Sequence, residues 1–210
     1  MKRTECRGSQ WAFPFVKYSP ENEKSNLPLV VQLHGAGERG KGGDDLSKVD
    51  VHGFSKLMAK NEYDCIFVMP QCPPDTFWAA KVESIISFIQ KISEEFEVDK
   101  QRIYLTGLSM GGYGTWFTAM ACPRMFAAIS PVCGGGMPWN AGVLDMPVWV
   151  FHGVEDSVVS VVNSDHMVQS IKARGGDVTY SRVEGVGHNV WEHAYNDKLI
   201  EWLMSKNRKL

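Results

Sequence analysis

Five short apolar runs, each stopped by glycine or proline, set the strongest limit on how this chain folds. They are "LPLVVQLHG" (27–35), "YDCIFVMPQ" (63–71), "QRIYLTG" (101–107), "FAAISPVCG" (126–134) and "MPVWVFHG" (146–153). A run with no polar alternation is buried on both faces, as a strand inside a parallel sheet is. The segment "DVTYSRVEG" (177–185) alternates and suits an edge strand, and "QWAFPFVKYSP" (10–20) suits an outer antiparallel strand kept at an edge by Pro14. Helical periodicity fills the gaps. Val82, Ile85, Ile86, Ile89, Ile92 and Phe96 fall on one face of a long helix. Residues 110–121, 160–173 and 191–205 read as three more helices, and 45–60 as a weaker one. Strands alternating with helices give the α/β class, a mainly parallel twisted sheet with helices on both faces. With no internal repeat, low-complexity tract or linker, the 210 residues are expected to form one domain, 1–210.

The third run leads into "IYLTGLSMGGYGTW", which reads as strand, sharp turn and helix with Ser109 at the turn. A side chain raised on so tight a reversal sits in a strained backbone position, and its neighbours on either side press together. Gly107 and Gly111 are therefore expected to lack side chains for steric reasons, while Gly112 and Gly114 let the helix lie close to the sheet. The helix aims its free N–H groups and positive dipole end at the serine. Ser109 is the candidate nucleophile.

A serine hydroxyl needs a base, and the chain has six histidines. His52, His166 and His193 fall in expected helices. His34 and His152 end strands in "HG" turns, where hydrogen bonding to the loops is the expected role. His188, in "EGVGHNVW", follows the last strand on a glycine-flanked loop, as a base at the strand C-termini should. The base in turn needs a carboxylate. "FHGVEDSVVS" offers Glu155 and Asp156 just after the fifth apolar run. For the oxyanion hole, the small residues of "LHGAGERG" (33–40) let a backbone N–H turn inward, and the N–H of Met110 supplies a second donor. The same glycines could cradle phosphate, but the Walker lysine and Ser/Thr pair are missing.

Taken in order, "LHGAGERG", "GLSMGGYGTW", "HGVEDSVV" and "GHNVW" resemble the α/β-hydrolase superfamily, serine esterase branch, over the chain from about residue 27 onward. They are similar to the polysaccharide-esterase group with feruloyl and acetyl-xylan esterases, and to carboxylesterase/phospholipase-like and prolyl-oligopeptidase-like hydrolases. The resemblance implies Asp156 as the acid, His188 as the base, and Ala36 with Met110 as oxyanion donors, in the Ser…Asp…His order of that fold. It implies a serine carboxylic-ester hydrolase acting through an acyl-enzyme. The alternatives are a peptidase-like serine hydrolase and a non-catalytic relative that binds a ligand. Ser109 departs from the dienelactone-hydrolase type, which carries cysteine there.

Between the end of the fourth run's strand, expected near Val132, and the fifth run lie only the thirteen residues 133–145, a loop and not a cap domain. An open cleft is expected, suited to short or aromatic acyl esters, carbohydrate-linked ones included. Trp139, Trp78 and Trp191 are the expected substrate-binding aromatics. The five cysteines are odd in number and lack C-x-x-C spacing, so neither a disulfide framework nor a zinc site is expected, and no metal or cofactor is called for. A net charge of −2 implies no general attraction to nucleic acid or anionic membrane. The start "MKRTECRGSQWAFPF" has no apolar stretch, so a cytoplasmic location is expected for the chain as given, and a secreted one if a signal peptide preceded it. Oligomeric state leaves no mark in the sequence.

Overall fold

The computed structural model describes residues 1–22 and 24–208. Its strands are β1 (Lys2–Cys6), β2 (Phe15–Ser19), β3 (Leu29–Leu33), β4 (Ile66–Pro70), β5 (Ile103–Leu108), β6 (Ala128–Val132), β7 (Val148–Gly153) and β8 (Val178–Val183). They form one eight-stranded sheet in the order β1-β2-β4-β3-β5-β6-β7-β8. From β4 to β8 every pairing is parallel, and β1 and β2 run antiparallel at one end. The helices are α1 (Ser55–Met58), α2 (Val82–Glu95), α3 (Met110–Ala121), α4 (Val162–Ala173), α5 (Trp191–Ala194) and α6 (Asp197–Met204).

Alternation along the strands splits the core in two. Leu29, Val31 and Leu33 of β3 face α2, α3 and α4, meeting Ile85, Phe88, Ile89, Trp116 and Met167. Val30, between them, faces the other layer, with Met58 of α1 and Leu199 and Leu203 of α6. The five apolar runs are β3 to β7, buried on both faces as their composition requires, and β8 is the half-exposed edge.

Three expectations are corrected. The segment around Pro14 is not an edge: β2 begins at Phe15, just after the proline, and β1 covers its outer side. Pro14 lies before the ladder and offers its carbonyl to Gln71 N–H at 2.8 Å, so no strand donor is lost. The weak helix at 45–60 is a 3₁₀ turn (Asp44–Asp50) followed by the single turn α1. The helix at 191–205 is two, because Asn196 is extended and caps α6 by accepting the Leu199 N–H at 3.2 Å.

Register is what positions the site. Leu33 lies opposite Gly107, Leu108 opposite Val132, Val132 opposite Phe151, and Gly153 opposite Val183. The C-terminal ends of β3, β5, β6, β7 and β8 are therefore level, and the loops that follow them open along one edge of the sheet.

Candidate active site

Ser109 occupies the turn between β5 and α3 with φ 53° and ψ −115°, a left-handed backbone that a non-glycine residue adopts only when its surroundings force it. The force is visible. Ser109 N–H is held by Val132 O at 2.9 Å, and Tyr113 N–H reaches back to Ser109 O at 3.1 Å. A Cβ on Gly107 would lie 2.3 Å from Gly111 O, and one on Gly111 would lie 2.0 Å from Leu33 O. The serine is thus raised by a turn too tight for side chains on either side of it.

His188, on the loop after β8, places Nε2 2.9 Å from Ser109 Oγ and Nδ1 2.7 Å from Asp156 Oδ2. Asp156 Oδ1 accepts the Val158 and Val159 N–H groups at 2.9 and 2.8 Å. Burial alone would raise the Asp156 carboxyl, but the His188 hydrogen bond and the Val159 and Val158 N–H groups outweigh it and hold it below the usual carboxylate range. Its side chain is fully buried, while Glu155 beside it is exposed. The structure brings Asp156, and not Glu155, to the histidine.

The loop after β3 lies against this line. A Cβ on Gly35 would fall 3.8 Å from Ser109 Cβ, so the first turn of the loop, Ala36–Glu38, starts beside Ser109. Among the described residues, neither the Ala36 nor the Met110 N–H has a protein acceptor. The loop is fastened from below by His34. Its Nδ1–H donates to Gly35 O at 2.6 Å, and its Nε2 accepts Cys72 N–H at 2.9 Å. That pattern requires the neutral ring, and burial accordingly lowers the His34 pKa to about 4.

Residues 17–124, just over half of the chain, match the BD-FAE family. The chain belongs to the BD-FAE family. It is 28% identical over 149 residues to a bifunctional acetylxylan esterase/xylanase of Neocallimastix patriciarum, covering 68% of this chain and 21% of that protein. It is 26% identical over 234 residues to poly(3-hydroxyalkanoate) depolymerase C of Paucimonas lemoignei, covering 88% and 55%. In structure it is similar to a thermostable esterase, with a TM-score of 0.82 at 33% identity over 99% of this chain and 63% of that one. This BD-FAE chain therefore spans less than two thirds of the length of each of these three relatives.

The three tryptophans fare differently in the BD-FAE chain. Trp139 is 76% exposed on the loop after β6. Trp191 stands edge-on to the His188 ring, with centroids 5.4 Å apart, and stacks obliquely on His52 at 5.0 Å; it backs the His188 ring. Trp78 corrects the expectation outright. It is fully buried against Phe13 and donates its indole N–H to His34 O at 3.0 Å, so it supports the loop from within the core and cannot line a cleft. Its neighbour Phe77, which the sequence reading passed over, is the one turned outward, at 55% exposure.

Other residues were also missed. Glu38 sends Oε1 to within 4.0 Å of His52 Nε2, and its Oε2, 3.9 Å from His34 Nδ1, is buried with no hydrogen-bond partner among the described residues. An acid inside a glycine-rich loop is the signal that could have flagged it. Cys133, at φ 40°, follows β6 with its thiol within 4.8 Å of ligand atoms of Asp156 and His188. Burial raises that thiol to about 12, so it stays a neutral neighbour. His152 contacts Ser164 at 2.7 Å, but both are fully buried, and no substrate reaches that pair.

Proposed function

We propose that this chain is a serine carboxylic-ester hydrolase in which Ser109 is the nucleophile, His188 the general base and Asp156 the acid that orients it. One observation carries the reading: the unbroken hydrogen-bonded line from Ser109 Oγ through His188 to the buried Asp156. In the first half-reaction Ser109 Oγ attacks the ester carbonyl carbon and its proton passes to His188 Nε2. The oxygen that gains charge is met by the Ala36 and Met110 N–H groups, each such donor contributing about 3 kcal/mol. The C–O bond to the alcohol breaks, and the alcohol leaves with the proton from His188. Water then attacks the acyl-enzyme, gives its proton to His188, and releases the acid as Ser109 is reprotonated. The family and the thermostable esterase support ester hydrolysis.

Short-chain or aromatic acyl esters are the proposed substrates, feruloyl or acetyl groups on carbohydrate among them. The acetylxylan relative supports that class, and Trp139, exposed after β6, is the proposed aromatic contact. A long acyl chain gains about 0.8 kcal/mol per methylene only where the methylenes leave water. The loop after β6 holds a single 3₁₀ turn, Pro138–Val143, too little to roof a tunnel. Fluorophosphonate labelling tests the chemistry: Ser109 should carry the mass shift, and Ser109→Ala should lose about 10⁶-fold in kcat. A folded protein that resists labelling would refute the reading. For the substrate, kcat/KM for p-nitrophenyl esters from two to sixteen carbons should peak by about six carbons, with methyl ferulate also cleaved. A rise that continues to the longest chain would reveal a tunnel.

A further inference from the structure

We propose that His152 is a second imidazole beside the catalytic acid, a positioning residue that helps to hold Asp156 in place for His188. The proposal rests on the reading of Asp156 as that acid. His152, next to last in β7 and four residues before Asp156 in "HGVED", is fully buried. Its Nε2 lies 2.9 Å from Val159 O and 3.3 Å from Asp156 Oδ2. Its Nδ1 lies 2.7 Å from Ser164 Oγ, which is 3.1 Å from Gly134 O.

Counting hydrogens fixes the direction of these contacts. Nε2 faces two oxygens that only accept, a carbonyl and a carboxylate. A bare lone pair there would be repelled by both, so the hydrogen sits on Nε2 and is donated to Val159 O, with Asp156 Oδ2 held 3.3 Å from the same nitrogen as an electrostatic neighbour. The neutral ring takes the single Ser164 O–H hydrogen at Nδ1 at the expense of Gly134 O, whereas the charged ring donates Nδ1–H to Ser164 and leaves that hydrogen for Gly134 O; Nε2 carries its hydrogen in both. Burial, the largest influence, favours the neutral form. The carboxylate of Asp156 is then gripped at both oxygens. Oδ1 takes two backbone N–H groups, and Oδ2 takes the His188 Nδ1–H while lying 3.3 Å from His152 Nε2. From Ser109 the line runs on through His188, Asp156 and His152 to Ser164, and α4, which carries Ser164, becomes the outer anchor of the acid.

The grip has a purpose. The two backbone N–H groups anchor Oδ1, but a swing of the carboxylate about that anchor would carry Oδ2 and the His188 ring away from Ser109. The fixed His152 N–H beside Oδ2 opposes that swing, and misplacement of a reacting group by about 1 Å can lower a rate 10²-fold.

The test is a cycle of His152→Phe and Asp156→Asn in the full chain, with Ser109→Ala as the inactive reference. His152→Phe keeps the ring volume and removes the donor. It should lower kcat by roughly 10- to 100-fold with KM within about twofold, and shift the downfield proton resonance of His188 Nδ1–H. In the Asp156→Asn background the same change should have almost no further effect, because the group it positions is already disabled. His152→Gln, which restores an N–H donor, should recover most of the rate, and Ser164→Ala should weaken kcat in the same sense as His152→Phe. These last two variants carry the test if His152→Phe does not fold. A folded His152→Phe enzyme with parental kcat overturns the proposal, as does an equal loss in the two backgrounds. If instead Asp156→Asn retains parental activity, the reading of the triad falls, an outcome separate from either.

Discussion

Protonating His34 would set Nε2–H against the Cys72 N–H it now accepts, and the loop beside Ser109 would lose a fastening. The sign of the consequence follows from the lowered pKa. The unfolded chain takes up this proton near pH 6.5, the folded one only near pH 4. Stability from His34 is complete above pH 6.5 and is lost as the pH falls toward 4, by about 3 kcal/mol. His152, also lowered by burial, acts in the same direction. Asp156 acts only below its ordinary carboxylate range, outside this window. Urea unfolding at pH 7.5 and 4.5 measures the sum, and a flat profile would contradict it. Ser109 yields a second prediction at this scale. Its φ of 53° is strain that glycine does not feel. Ser109→Gly and Ser109→Ala lose the same hydroxyl, so the glycine variant should be the more stable by about 1 kcal/mol in urea. At this scale, sequence reading reached the residues that the structure brings together. Ser109 stood out by its glycines, and His188 by its loop. Asp156 was separated from Glu155 by resemblance, and the structure gives a reason in the two N–H groups of its own loop. The contact between His152 and Asp156 was out of reach because "HG" describes a turn and not what the ring touches.

Elements were legible where burial imposes a pattern. The runs that became β3 to β7 have both faces in the core. β1, "KRTEC", carried no such mark. It is held by its ladder with β2 and by Arg3, which reaches Asp50 Oδ2 at 2.7 Å. Those partners are distant in the sequence. Phe77 and Trp78 show the same boundary more finely, since two adjacent aromatics in one loop differ only in which way each turns. The packing of α3 yields a contrast between glycines. Gly111→Ala would drive a methyl group into the Leu33 carbonyl, backbone against backbone, and should destabilise by about 3 kcal/mol or more. Gly37→Ala meets nothing within 4 Å and should leave stability within about 1 kcal/mol of the parent, with any gain coming from a stiffer unfolded chain. Denaturant midpoints of the two variants decide whether the close seat of α3 on β3 is the reason for the glycine.

For the whole molecule, sequence reading gave the α/β layering and the edge of the sheet where chemistry gathers. It missed the strand at the far edge and the break before α6, because both depend on pairings and caps instead of composition. The level strand ends have a kinetic meaning as well. Ser109 follows β5, Asp156 follows β7 and His188 follows β8, and 79 positions separate the serine from the histidine that touches it. Contacts between such distant segments form late, since the intervening loop must be closed before they are rewarded. Helices such as α2 gather locally and early. During refolding, far-UV ellipticity should therefore recover ahead of reactivity toward a fluorophosphonate pulse, and equal rates for the two signals would refute the order. A covalent probe of one serine then becomes a stopwatch for the docking of β7 and β8, reporting the moment when half a sheet closes its ranks.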